Sequence, residues 1–281
     1  MCVPKTKGSL WIVWIPKKSL CFLSLYPTLD LTKIGLNAQE SGHWLLLLLP
    51  PYVGMINNNI MESFKKALVL FSGGRDSSAA AVEMIRAGYS VRLFTYQMKE
   101  LIGPRGDSAP DIRHFELSNT FPKKIDENRI IVKNLYLLKK LAIEKTNISH
   151  VVYPIAATLA IHTSAILYCL ENDIHHIACG YSGYQAKLDR YIEQRKDFFE
   201  LMKLFLQEYG IKYHTPIIEK SKEEVIDILD QCGVSSNSLE SKSIFIGGPF
   251  EINKVLEFWN ESILICREYI KKMRSFHDNK I

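Results

Sequence analysis

Residues 67–78 read Ala-Leu-Val-Leu-Phe-Ser-Gly-Gly-Arg-Asp-Ser-Ser, an apolar run of strand formers that empties into a Ser-Gly-Gly turn. An alanine-rich segment follows at once, with Asp76, Ser77 and Ser78 at its mouth. Gly73 and Gly74 carry no Cβ, so the chain can turn sharply there and bring its N–H groups against a bulky anion. The first turn of the following helix leaves its own N–H groups unpaired, and the helix dipole puts partial positive charge at the same end. Ser72, Ser77 and Ser78 add hydroxyl donors, so Ser72, Gly73, Gly74, Arg75, Ser77 and Ser78 together read as a phosphate cradle. Asp76 is out of character, because a carboxylate beside phosphates repels them unless a divalent cation intervenes. It is therefore read as a Mg²⁺ ligand, direct or through water.

Two neighbouring loop types are excluded by the residues. A Walker loop requires Gly-x-x-x-x-Gly-Lys-Ser/Thr, and no lysine follows these glycines; the Gly-x-Gly-x-x-Gly of a dinucleotide fold is also absent. Outward from the loop, an α/β alternation is expected from residue 61 onward. Strand Ala67–Phe71 leads to helix Ser77–Ala87 and strand Ser90–Thr95. Tyr96–Ile112, with Gly103, Pro104, Gly106 and Pro110, reads as a mobile loop, and Arg113–Leu117 as the next strand. Helices are expected over Asn134–Lys145, Ile155–Leu170, Asp189–Glu208, Lys222–Gln231 (closed by Gly233) and Ile252–Met273, with strands Ile174–Cys179 and Ile211–His214. Strands separated by helices imply a parallel sheet with helices on both faces, and ligands beyond the carboxyl ends of its strands.

Ser72-Gly73-Gly74-Arg75-Asp76-Ser77 resembles the Ser-Gly-Gly-x-Asp-Ser signature of the PP-loop ATP pyrophosphatases, which cleave ATP between the α and β phosphates. Within that superfamily the chain is most similar to the 7-cyano-7-deazaguanine synthases. Lys66 to Tyr96 follows their opening strand-loop-helix-strand, Ile177 to Tyr184 resembles their late strand and Tyr-Ser-Gly-Tyr loop, and His214 to Val225 resembles their Ser/Thr-Lys-x-Glu-Ile segment. The resemblance implies an adenine nucleotide alpha-hydrolase-like (PP-loop) fold, a parallel sheet flanked by helices on both faces. It departs from the family where a Cys-x-x-Cys cluster would hold zinc: no such pair occurs, Ser236-Asn237-Ser238-Leu239-Glu240 stands in place of Thr-Trp-Ser-Cys, and no zinc site is expected. Tyr153 to Ala157 likewise replaces the family's Pro-Gly-Arg-Asn.

The 281 residues are 47% hydrophobic and 23% charged, which suits one large soluble enzyme domain. The net charge is +5, and residues 1–60 hold five lysines against two acidic residues, so the remainder is nearly neutral. A basic surface of the kind RNA-modifying relatives require is not visible; Lys139-Lys140 and Lys271-Lys272 with Arg274 read as solvated helix faces. The apolar patches Leu10–Ile15 and Leu45–Leu49 are too short to cross a bilayer. Residues 1–60 are expected to be an extension outside the catalytic fold, which would occupy 61–281. Six cysteines without paired spacing and no secretion signal point to the cytoplasm. The oligomeric state is left open, a homodimer among the alternatives, as is a protein partner.

Convergence at the strand ends assigns further roles. Thr95, Tyr96 and Gly180 are expected to contact ATP. Tyr181, Ser182, Tyr184 and Asp189 are expected to face the acceptor, and Lys187 and Lys222 to supply positive charge to the departing pyrophosphate alongside Asp76. His162 reads as a hydrogen-bonded core residue and Cys179 as core rather than nucleophile. What the resemblance implies is ATP-dependent activation of a carboxylate, with a nitrogen nucleophile then displacing AMP. In the synthases the acceptor is 7-carboxy-7-deazaguanine; relatives in antiviral defence operons leave a macromolecular acceptor open. The competing readings are a tRNA-modifying sulfurtransferase and a nucleotide-binding protein without turnover.

Overall fold

The computed structural model divides the chain into two compact units, Met1–Ser63 and Phe64–Ile281. It describes residues 65–97, 108–133, 135–186, 191–237, 239 and 248–278 of the second unit, and four strands of the first. Those four are β1 (Val3–Pro4), β2 (Trp11–Pro16), β3 (Gly35–Ala38) and β4 (His43–Leu48). They form an antiparallel sheet in the order β1-β2-β4-β3, with Trp11 opposite Leu48 and Gly35 opposite Leu47. The two apolar patches of the sequence are thus paired strands, a partnership that sequence periodicity does not show because the strands are separated by an intervening segment.

In the second unit the elements are β5 (Lys65–Leu70), α1 (Arg75–Arg86), β6 (Tyr89–Tyr96), α2 (Ser108–Thr120), β7 (Ile130–Val132), α3 (Tyr136–Lys145) and α4 (Tyr153–Glu171). They continue with β8 (His176–Ala178), α5 (Gly183–Ala186), a 3₁₀ turn (Ile192–Gln194), α6 (Lys196–Gln207), β9 (Lys212–His214), α7 (Lys222–Asp230) and α8 (Ile252–Asp278). The five strands pair in parallel in the order β7-β6-β5-β8-β9. Residues in register share a face, so alternate positions of the central strand feed two cores. Ala67 and Val69 of β5 pack with Ala79, Ala81 and Val82 of α1, Leu117 of α2 and Val225 of α7. Leu68 packs on the other face with Phe94, Ile177 and the buried sides of α4, α6 and α8. The alanines of α1 are fully buried; their small side chains let the helix lie close on β5.

The chain winds from β5 outward through β6 to β7, then returns to place β8 on the opposite side of β5. The strand order therefore reverses between β5 and β8, and a crevice opens beyond their carboxyl ends. The Ser-Gly-Gly loop leaves β5 there, and residues Cys179 to Gly183 leave β8 beside it.

Two expected elements differ. Arg113–Leu117 lies within α2 rather than forming a strand. A five-residue window fits period two and period four alike, and the buried set Ala109, Arg113 and Leu117, with Phe115 68% exposed, is helical. The helix expected over Asp189–Glu208 is broken at Arg195, which is extended, and its regular part is α6 alone. The loop expected over Tyr96–Ile112 already turns helical at Ser108, and residues 98–107 lie outside the described residues. α4 is 19 residues long with a mean hydropathy of 1.4, long and apolar enough to cross a membrane, but it is the buried central helix of this unit.

A polar network crosses the interior of the second face. The Thr158 carbonyl can only accept, so His162 Nδ1 carries the proton donated to it (2.7 Å), and Nε2 accepts from the Tyr213 hydroxyl (2.7 Å). Burial pushes the His162 imidazole down to about 4, from an ordinary 6.5. The unfolded chain takes up a proton below pH 6.5 that the native chain refuses until about pH 4. This contribution to stability is complete above pH 6.5 and is lost as pH falls through that window. The slope approaches about 1.4 kcal/mol per pH unit for one proton. Denaturant unfolding between pH 7.5 and 4 should show this loss, and the slope should flatten in His162→Gln; an equal slope in the variant would refute the assignment.

Candidate functional site

Gly74 caps α1 with an extended backbone (φ −73°, ψ 166°) and no side-chain hydrogen bond. Gly73 before it has φ +76°, a left-handed conformation suited to glycine, and a Cβ there would lie 2.4 Å from Pro110 N of α2. The hydroxyls are knitted to one another: Ser72 Oγ lies 3.1 Å from Ser77 Oγ, Gly74 N donates to Ser72 Oγ (3.2 Å), and Ser78 Oγ donates to Gly74 O (2.7 Å). Among the described residues, the amides of Gly73, Arg75, Asp76 and Ser77 donate to no protein acceptor. A left-handed glycine followed by uncapped amides at a helix mouth is an anion-binding arrangement.

Asp76 is buried, and the loop after β8 converges on it. Ser182 Oγ donates to Oδ2 (3.2 Å), the Tyr184 hydroxyl reaches both carboxylate oxygens (2.8 Å each), and Gln185 Nε2 donates to Oδ2 (3.1 Å). Arg75 stands over the group, with Nη2 donating to the Tyr184 hydroxyl (3.2 Å) and Nε 3.5 Å from Asp76 Oδ1. Burial, and then the Asp76 carboxylate, push the Tyr184 phenol above its ordinary range. Among the described residues no group of three or more His, Cys, Asp or Glu side chains converges on a possible metal position. The Asp76 carboxylate ties the first turn of α1 to α5.

Backbone contact makes the same connection. A Cβ on Gly180 would lie 2.6 Å from Ser77 N and 2.7 Å from Asp76 C, and one on Gly183 would lie 2.1 Å from Ile218 O. Gly180 thus sits against the amides of the cradle itself.

The remaining expected residues divide. Thr95 donates its hydroxyl to Phe71 O (2.7 Å), which fixes the exit of β5. Tyr96 is buried at the end of β6, 5.2 Å beneath the Lys139 ammonium. Tyr181 is partly buried and reaches Thr158 and Tyr213 of the interior network, and burial pushes its phenol up. Lys222 opens α7, exposed, beside a capping box in which Ser221 Oγ accepts from Glu224 N (3.1 Å) and Ser221 N donates to Glu224 Oε2 (2.6 Å). It does not touch the Asp76 cluster. Lys187 and Asp189 lie outside the described residues. Cys179 is a buried thiol pushed up to about 12 by burial, protonated at neutral pH. The four described cysteines are all free.

Two participants were missed. Gln185 stands one residue beyond the Tyr-Ser-Gly-Tyr stretch. Lys139, read as a solvated residue, is 7% exposed, and its place between Leu135, Leu138 and Ala142 on the buried face of α3 is the helical spacing that signals this.

A family model described as queuosine biosynthesis protein QueC matches residues 66–243. The chain belongs to this family. No curated protein matches it in sequence. Among solved structures, a 4-thiouridine synthetase in complex with RNA and bound ATP is similar at a TM-score of 0.50 and 13% identity. The alignment covers 84% of this chain and 60% of the synthetase, so the chain spans less than two thirds of that relative. A predicted subunit of tRNA methyltransferase from Methanocaldococcus jannaschii aligns at a TM-score of 0.37 and 18% identity, over 64% of this chain and 94% of that one. The match to the QueC family identifies the second unit as a PP-loop ATP pyrophosphatase fold.

Gly180 provides a test of this loop packing. Gly180→Ala should lower unfolding free energy by about 1–3 kcal/mol, because backbone on both sides must yield. Gly210→Ala, at φ +70° with nothing within 4 Å, meets only the conformational penalty of about 1 kcal/mol. Equal losses in paired denaturant titrations would refute the close approach.

Proposed function

We propose that this QueC-family chain activates a carboxylate acceptor with ATP, releasing pyrophosphate, and that a nitrogen nucleophile then displaces AMP. The observation that carries the reading is the set of open amides at Gly73, Arg75, Asp76 and Ser77 at the mouth of α1, beside the loop of Ser182, Tyr184 and Gln185. The amides would hold the phosphates, and Ser72, Ser77 and Ser78 would turn their hydroxyls from one another to the nucleotide. An acceptor oxygen attacks the α phosphate, the bond to the β phosphate breaks, and negative charge grows on the departing pyrophosphate where the helix mouth is positive. Asp76 acts as a positioning residue that holds Tyr184, Ser182 and Gln185 toward the crevice; Lys187, Lys222 and Asp189 are proposed as charged groups around it.

The substrate favoured by family membership is 7-carboxy-7-deazaguanine with ammonia, giving an amide whose oxygen a second ATP activates in the same way, so that it leaves with AMP and a nitrile remains, in queuosine-type biosynthesis in the cytoplasm; a macromolecular acceptor in antiviral defence is the variant reading. A sulfurtransferase mechanism through Cys179 is disfavoured by that thiol's burial and its pKa of about 12.

Purified chain incubated with ATP, 7-carboxy-7-deazaguanine and ammonium should yield AMP and pyrophosphate in step with acceptor consumed. ADP and orthophosphate as products would overturn the reading. In Asp76→Asn the amide nitrogen faces donors, and acceptor-dependent pyrophosphate release should fall by about 100-fold or more.

A further inference from the structure

Basic side chains that lie far apart in the sequence meet at the amino edge of the parallel sheet, the end opposite the Ser-Gly-Gly turn. Lys65 and Lys66 open β5, and Lys212 opens β9; all three are exposed. Strand pairing sets Lys65 beside Tyr89 of β6 and Lys212 beside His176 of β8. Burial, and then the charges of Lys212, His175 and Lys65, hold the His176 imidazole below its ordinary range, so both lysines lie within reach of one ring. The far end of α8 extends the same edge. Arg267 grips Glu208, just past α6, through both carboxylate oxygens (2.9 and 2.6 Å). Lys271 and Arg274 follow Arg267 at helical spacing on one stripe and are exposed, and the charge of Arg274 is felt by the Tyr209 phenol shortly before β9.

Three acids at this edge are already answered: Glu208 by Arg267, Asp126 by Arg92, and Asp173 by a hydrogen bond with His175 Nε2 (3.0 Å). Among the described residues, Lys65, Lys66, Lys212, Lys271 and Arg274 form no ion pair. Cations gathered without acids repel one another and are the arrangement that a polyanion completes. Two rings interleave with them. Tyr89 meets His176 edge-on (5.0 Å between centroids), and Tyr209 meets Phe205 edge-on (5.6 Å). Both tyrosines are half-buried, so each ring is held in place while part of it stays open. Rings fixed in this way cannot insert into a bilayer, but they can stack an unpaired base, and cations interleaved with such rings are the pattern of single-strand recognition. A duplex keeps its bases stacked on each other and meets only the charges.

We propose that the amino edge of the sheet, from β5 across β9 to the last turns of α8, binds a single-stranded nucleic acid, with the lysines and Arg274 on its phosphates and Tyr89 and Tyr209 against its bases. The surface is separate from the crevice, and the proposal goes beyond the function inferred above without resting on it. No run of basic residues announces it in the sequence, because three elements supply the cations and the strand register brings them together.

Fluorescence anisotropy on the full chain reads uptake of a labelled single strand of about 15 nucleotides, as RNA and as DNA, with the corresponding duplex and phosphatidylserine vesicles as the other arms. A single strand should bind with a micromolar Kd at about 0.1 M salt, more tightly than the duplex, with a log–log salt slope of about −3 for about four or five phosphate contacts. Lys65→Gln with Lys212→Gln should weaken uptake about tenfold or more and reduce the slope by about 1.4. Lys271→Gln with Arg274→Gln should do the same, which gives a second reading if the first pair does not fold. Tyr209→Leu should weaken uptake about fivefold or more with the slope unchanged. Lys140→Gln with Lys254→Gln, which removes two charges from α3 and the first turn of α8, should leave uptake within about twofold of wild type. No uptake of either strand, a duplex held as tightly as the strand, or an equal loss in the Lys140 and Lys254 variant overturns the proposal. Binding to the vesicles with none to the strands overturns it too, and each of these results leaves the proposed activity standing.

Discussion

The contact between the backbone at Gly180 and the first turn of α1 constrains everything else in the second unit. With the would-be Cβ of Gly180 only 2.6 Å from Ser77 N, no side chain separates the chain leaving β8 from the helix leaving β5. Such an approach is available only where the strand order reverses, because neither strand's crossover helix then covers the gap. Asp76 adds a polar latch across the same seam through Ser182, Tyr184 and Gln185. Glycine spacing and carboxylate bonding thus fix the same two loops by independent means. One sets distance, and the other sets orientation.

The cradle is held in shape by its own hydrogen bonds. Ser72, Ser77 and Ser78 satisfy each other and the Gly74 carbonyl, which holds the turn in shape while its amides stay open. Ser77 Oγ has one proton and two candidate acceptors, Ser72 Oγ at 3.1 Å and Gly74 O at 3.1 Å, so it can release one without leaving its hydroxyl unpaired. Thr95 anchors the start of the turn on Phe71 O, and Gly73 lets α2 lie against its outer side. Binding energy is then not consumed in ordering the loop. A preorganised cluster of donors is what electrostatic stabilisation of a developing anion requires.

The parts of this architecture readable from sequence are those in which the cause is local. The strand-turn-helix of residues 67–78 declares itself because glycines, hydroxyls and an apolar run occur within a dozen positions. The α2 segment does not, since five residues cannot distinguish a strand from a helix whose exposed face carries Phe115. Nor was the environment of Asp76 readable. Its donors lie 106 to 109 positions away, and local spacing carries no trace of partners at that separation. Ser221-Lys222-Glu223-Glu224 carries an equally local cause of a different kind: it is a capping box, and the resemblance at Lys222 coincides with the start of a helix.

The two halves of the crevice are held by different physics, and this bears on which of them can change its residues. The half at the Ser-Gly-Gly turn depends on glycine positions where backbone meets backbone, and almost any added atom there collides. The half beyond β8 is carried by side-chain hydrogen bonds, from Gln185 and Gln194 to the interior chain of Tyr181, Tyr213 and His162. Farther out, the fully buried Arg113 of α2 grips the carbonyls of Ser235 and Asn237 while Glu116 accepts from Ser235 N (3.2 Å), fastening the tail beyond α7. A hydrogen-bonded wall can be rebuilt by exchanging partners of similar size, whereas a backbone contact has no side chain to exchange. The Ser-Gly-Gly turn therefore tolerates little substitution, whereas the hydrogen-bonded walls beside it can change residues without disturbing it.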